Sequence, residues 1–212
     1  MTATAQQQLE TATRTVETSP AGHVVSLART FDVHPEELWA AVTIGEHLEA
    51  WFGRASGEAV EGGRYTLPDM DVTGEVLATE APRRLQLSWK AGRSRSELEL
   101  LLTPAEDGEG TRLELRHTVP ADAYWEAFGP SATGCAWDAA FHGLALHLAD
   151  PGADQLPALA RFAGSTAGAE FTRASADAWY EAHVAAGADR KPARKASVRT
   201  AAAYLDEETD LS

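Results

Sequence analysis

The chain holds one cysteine in 212 residues, Cys135, which excludes an intrachain disulfide and any multi-cysteine zinc site. Basic residues are scarce: 18 Lys and Arg stand against 32 Asp and Glu, a formal net charge of −14. Nucleic acid and anionic membrane surfaces both demand clustered Lys and Arg, so neither is an expected partner. Nowhere does the sequence carry the run of about 18 apolar residues that a transmembrane helix needs. Residues 1–22, rich in Thr, Ala, Gln and Glu, have no basic leader and no apolar stretch. They read as a flexible polar tail rather than a signal peptide, and a cytoplasmic setting is expected. Motifs that would name a reaction are missing too: no Walker loop, no dinucleotide glycine fingerprint, no Gly-x-Ser-x-Gly elbow, no His-Glu pattern of zinc proteases. No catalytic residue, cofactor or metal site is implied.

What is present is a hydrophobic fraction of 44%, ample for a core. From His23 the apolar period is two, with Val25, Leu27, Arg29 and Phe31 on one strand face. Pro35 then opens a short helix carrying Leu38, Trp39 and Val42, and a second short helix closes on Trp51-Phe52. Gly62-Gly63 marks a hairpin turn into Arg64–Leu67. Alternation continues through Val72–Ala78, Leu85–Trp89, Leu98–Leu102 and Leu113–Val119, with a turn at Asp107–Gly110. Consecutive half-buried strands joined by short turns give an antiparallel sheet, apolar on one side. Residues 129–149 form a long helix on which Trp137, Phe141, Leu144 and Leu148 make one stripe. Cys135, His142 and Leu146 fall on its back, which is not polar enough to face water alone.

Several of these features together resemble the SRPBCC superfamily, also called START-like or birch-pollen-allergen-like. They are Arg29-Thr30-Phe31-Asp32, Pro35, Leu38-Trp39, Trp51-Phe52, Glu61-Gly62-Gly63-Arg64-Tyr65, Gly74-Glu75-Val76, Pro82-Arg83-Arg84-Leu85, Leu115-Arg116-His117-Thr118, Gly134 and Trp137. Within it the resemblance is to the branch related to activators of the heat-shock-protein-ninety ATPase, over about residues 23–149. It implies an α+β helix-grip fold, in which a curved antiparallel sheet wraps around a long C-terminal helix, with two short helices after strand 1. It also implies binding of a small hydrophobic or amphipathic molecule in a cavity between sheet and helix. Cyclase- or hydratase-like chemistry on a polyketide-like or aromatic substrate, and a co-chaperone-like interaction role, are the alternatives.

The expected organisation is a tail over 1–22, a helix-grip domain over 23–149 and a helical C-terminal extension over 150–212. In the extension Gln155–Ala163, Ala169–Ala186 and Pro192–Leu205 read as helices, the last two presenting stripes of Phe171, Ala178, Ala182 and Ala185 and of Val198, Ala202 and Leu205. These either pack back on the domain or pair two subunits in a homodimer.

The candidate ligand-binding residues are Arg29, Trp51, Phe52, Trp89, His117, Trp137 and Phe141. His117, between Leu115 and Val119, either orients a polar ligand group or acts as a base, or is a histidine tied to a neighbouring side chain. Arg29 needs a carboxylate or carbonyl partner if buried, and with His117 would be the cavity's polar anchor. Tyr124, Trp125 and Phe128 precede the long helix where a lid is expected. Asp138 and His142, four apart, read as a helix-surface pair. His34 and His47 read as local polar contacts, and His147 shows no partner signal.

Overall fold

The computed structural model describes residues 1–105 and 108–208, so Asp107 of the expected turn lies outside the described residues. One seven-stranded antiparallel sheet runs in the order β1-β2-β7-β6-β5-β4-β3. Its strands are β1 (Thr13–Ser19), β2 (Gly22–Phe31), β3 (Arg64–Leu67), β4 (Val72–Glu80), β5 (Arg84–Ala91), β6 (Ser94–Pro104) and β7 (Thr111–Val119). Register explains the concave face. Val76, Leu87, Leu98, His117 and Val25 stand opposite one another across five strands, and Leu85, Leu100, Leu115 and Leu27 form the next row. Each row is inward because successive side chains alternate faces. The outward rows are charged, with Arg84 meeting Glu99 at 2.7 Å.

Two short helices, α2 (Pro35–Thr43) and α3 (Gly45–Trp51), cross one end of the sheet. Helix α4 (Ala123–Phe128), capped by the Asp122 side chain, leads into the long α5 (Ser131–Ala149) that the sheet wraps. Phe141 and Leu144 are buried against the sheet, as the helix-grip architecture requires. Three more helices follow: α6 (Leu156–Ala163), α7 (Thr166–Ala185) and α8 (Arg190–Leu205).

Residues 1–22 differ from the expected flexible tail. They form helix α1 (Ala3–Thr11), with Thr2 as N-cap, and the edge strand β1. The two short helices therefore follow the second strand of the chain. The physical reason is a buried carboxylate on α5. Asp138 is fully buried and accepts from Gln8 Nε2 (2.9 Å), Arg14 Nη2 (2.6 Å) and Nε (3.0 Å), Ser175 Oγ (2.6 Å) and Trp179 Nε1 (2.9 Å). A buried charge is tolerated when paired and fully hydrogen-bonded, and a bidentate guanidinium is the strongest such partner. Polar side chains of the segment thus fasten it together with the β1–β2 pairing and the buried Val16.

Asp138 and His142 accordingly make no surface pair. His142 turns to Phe162 and Phe171, with ring centroids at 4.9 and 5.8 Å. Helix α7 covers the back of α5 within the same chain. Gly134 permits this contact: a Cβ there would come 2.1 Å from Trp179 Cε2. The buried face of α7 is Phe171, Ser175, Ala176, Trp179 and Tyr180, so the expected alanine stripe is rotated and Ala185 is exposed. On α8 the buried side is Ala193, Ala196, Ser197, Thr200 and Ala202, while Val198 is 40% exposed. Small residues let α7 and α8 approach closely, and Trp179 supplies the area that alanines lack.

Candidate functional site

Between α5 and the concave sheet lies a cavity of about 120 Å³ that opens past α3 and the loop 54–63. Its floor is built from the inward rows: Val76, Leu85, Leu87, Leu98, Leu100, Leu113 and Leu115. Trp137, Ala140, Phe141 and Leu144 of α5 form one wall, and Val42, Leu48, Trp51 and Phe52 of the short helices another. Trp89 and Tyr65 close the side nearer β3. The rings are mutually fixed. Trp89 meets Trp137 edge-on at 5.6 Å between centroids, Phe52 lies parallel to Trp137 at 6.2 Å, and Trp51 donates its Nε1–H to Ala41 O at 3.1 Å. Tyr65 lies flat over Gly74, where a Cβ would sit 2.4 Å from its ring, and donates its hydroxyl to Ser88 O at 2.8 Å. The β4–β5 register shifts just beyond that contact, between Val76 and Ala78.

Five of the seven sequence candidates, Trp51, Phe52, Trp89, Trp137 and Phe141, line this one cavity. His117 and Arg29 do not. His117 lies behind the aromatic wall, its Nδ1 accepting from Trp137 Nε1 at 3.1 Å. An indole N–H only donates, so Nδ1 is unprotonated and the proton sits on Nε2, 2.8 Å from Ser96 Oγ. Burial pushes the His117 pKa down to about 4. Both ring nitrogens are occupied by protein, which makes this side chain an orienter of Trp137 rather than a base aimed at a ligand.

Arg29 stands four residues along β2 from His117's cross-strand partner Val25, a span of about 13 Å. Its Nη1 donates to Gln8 Oε1 at 2.9 Å, and its guanidinium carbon lies 4.9 Å from the Phe31 ring centroid. It faces a separate groove with Gln7, Asp32, Ala145 and Leu148. Arg29 and His117 thus share no cavity. The lid residues are displaced as well. Trp125 stacks on His23 at 4.0 Å and abuts His183, and neither it, Tyr124 nor Phe128 lines the cavity. His47 departs from a local contact, since its Nδ1 is 3.1 Å from Nε2 of His147.

Sequence reasoning missed Tyr65, Leu48 and the loop residues Ala55–Ala59. Tyr65 was signalled by its place opposite Gly74 in the neighbouring strand, a pairing that leaves room for a ring. Among the described residues, buried polar side-chain atoms without a partner belong to Arg29, Thr79, His142 and His147, none of which borders the cavity. The wall is therefore apolar, and its rim carries Thr43, Ser56 and Glu58. Such a site can hold an apolar body by exclusion of water, and it presents no paired acid and base for proton transfer.

No described helix is long and apolar enough to cross a membrane. Residues 32–149 match the family model described as activator of Hsp90 ATPase homolog 1-like protein. No curated protein matches the chain. Among solved structures, CalU16 from Micromonospora echinospora is 26% identical, with a TM-score of 0.61 over 81% of this chain and 97% of its own. That likeness extends past the segment the family model matches. MLL2253 from Mesorhizobium loti is also 26% identical, with a TM-score of 0.52 over 59% of this chain and 96% of its own. A Rhodobacter sphaeroides protein, again 26% identical, gives 0.51 over 65% and 98%. With the family model spanning more than half the sequence and the sheet gripping α5 as described, the chain belongs to the activator of Hsp90 ATPase homolog 1-like family of the SRPBCC superfamily.

Proposed function

We propose that this protein binds a small hydrophobic or amphipathic molecule, non-covalently, in the cavity between α5 and the sheet. The observation that carries the reading is an aromatic-rich cavity of about 120 Å³ whose lining, among the described residues, contributes no buried side-chain polar atom without a partner. A cavity of about 150 Å³ lined by Leu, Ile and Phe takes up benzene, so this smaller, open one fits a single ring whose short chain points out through the opening. Burying an apolar ring from water is worth about 25 cal/mol per Å² of apolar surface removed, enough for affinity without any polar contact. Membership in the family supports a ligand-binding use of the fold. Proton-transfer chemistry of a cyclase kind has no matching geometry here, because His117 is occupied on both nitrogens.

The test is titration with butylbenzene, followed by emission of the lining tryptophans Trp51, Trp89 and Trp137. Wild type quenches saturably. Leu100→Trp, which fills the cavity from its floor, keeps the circular dichroism spectrum and loses the saturable change. Equal uptake by both proteins would refute the site.

A further inference from the structure

We infer that the cavity selects neutral or cationic aromatic ligands over carboxylates, and that Glu58 at its rim sets the preference; the inference rests on the cavity-binding reading. Among the described residues no Lys, Arg or His contributes to the lining. A carboxylate drawn inside would find no cation among these lining residues, and an unpaired buried charge is strongly disfavoured. The aromatic walls push the same way. Trp51, Trp89, Trp137 and Phe141 line the cavity, and an aromatic face attracts a cation within about 6 Å and repels an anion.

The rim adds a sign. Two lining side chains are ionisable. Tyr65 has its hydroxyl bound to Ser88 O and its ionisation pushed upward by burial, so it stays neutral. Glu58 is exposed, and its carboxylate has no ion-pair partner among the described residues. The nearby cations are turned elsewhere. Arg54 is held by Asp69 through its Nη2 (2.6 Å) and Nε (3.0 Å). Arg64 lies on the opposite phase of β3 from the lining residues Tyr65 and Leu67. A ring seated among the tryptophans with a short chain pointing outward therefore ends beside a lone carboxylate.

The probes are 4-phenylbutylamine, 4-phenylbutanol and 4-phenylbutyrate at pH 7, which share one ring and reach and differ in end-group charge. Binding is read by tryptophan emission on wild type, Glu58→Gln and Glu181→Gln. The last removes the same charge from the exposed side of α7, outside the lining. Expected are measurable binding of the amine and the alcohol, and binding of the butyrate at least about tenfold weaker. Glu58→Gln should weaken the amine about threefold relative to the alcohol, the scale of an exposed ion pair, and Glu181→Gln should not. Butyrate binding as tightly as the alcohol overturns the inference, and so does an equal shift from both Gln variants, which would mark a general field. If the alcohol binds, the cavity reading survives either result; if none of the three binds, both fail.

Discussion

His117 and Arg29 point inward on neighbouring strands, yet their surroundings give them different work. His117 joins Trp137 Nε1 to Ser96 Oγ and so fixes one indole of the cavity wall. His117→Phe leaves Trp137 Nε1 unpaired and Ser96 Oγ with only its bond to Trp89 O, and at pH 7 it should destabilise the protein by about 1–3 kcal/mol. Acidity gives a sharper readout. The unfolded imidazole titrates near 6.5 and the folded one near 4, so the folded state binds the proton less readily. Its stabilisation is complete above pH 6.5 and declines as pH falls toward 4, by up to roughly 3 kcal/mol. His142 is pushed down in the same direction, so wild type alone would not isolate the effect. The gap between wild type and His117→Phe in urea-unfolding free energy should therefore narrow from pH 7 to pH 4. A gap that stays constant would mean that His117 is not held neutral by burial. The sequence made the inward phase of His117 legible through Leu115 and Val119, but not its neighbours. That Trp137 would spend its single donor there depends on where α5 crosses the sheet, which no local pattern encodes.

At the scale of elements, the strands and the helices around the cavity were legible because their apolar periods are strong. Leu98, Leu100 and Leu102 alternate on β6, and Trp137, Phe141 and Leu144 recur along α5. The N-terminal segment was not legible, because its attachments are Gln8 and Arg14, residue types that usually mark solvated surface. Arg14→Met removes two of the bonds to Asp138 and leaves a buried carboxylate without its cation. The expected cost is about 3–5 kcal/mol, with faster amide exchange concentrated in α1 and β1. Unchanged exchange over residues 3–19 would show that the segment is held by other contacts. Helix α7 offers a second test. Gly134→Ala forces the Trp179 indole away from Asp138, since the new methyl would overlap its ring. Overpacking of this kind costs about 1–3 kcal/mol. Cys135 is buried beneath the same contact and its thiol is pushed up to about 12, so its labelling rate reports exposure. Faster thiol labelling in Gly134→Ala is the expected result, and an unaltered rate would detach α7 from the shielding of α5.

Taken as a whole molecule, the sheet, α5 and the two short helices enclose one apolar cavity, while α1, β1 and α7 are tied to the opposite side of α5 through Asp138. The polar anchors that the sequence suggested for the cavity lie instead in the framework around it, and the aromatic residues line the cavity. Leu48, Tyr65 and the rim loop escaped notice because each joins the wall through tertiary placement, from short elements with weak periods. Binding of an apolar molecule inside this wall can be read from nuclear Overhauser contacts of bound butylbenzene. Expected are contacts from the probe's ring protons to the indoles of Trp89 and Trp137 and to the methyl groups of Leu100 and Leu115. Contacts confined to exposed aromatics such as Tyr124 and Tyr204, or none at saturating probe, would contradict it.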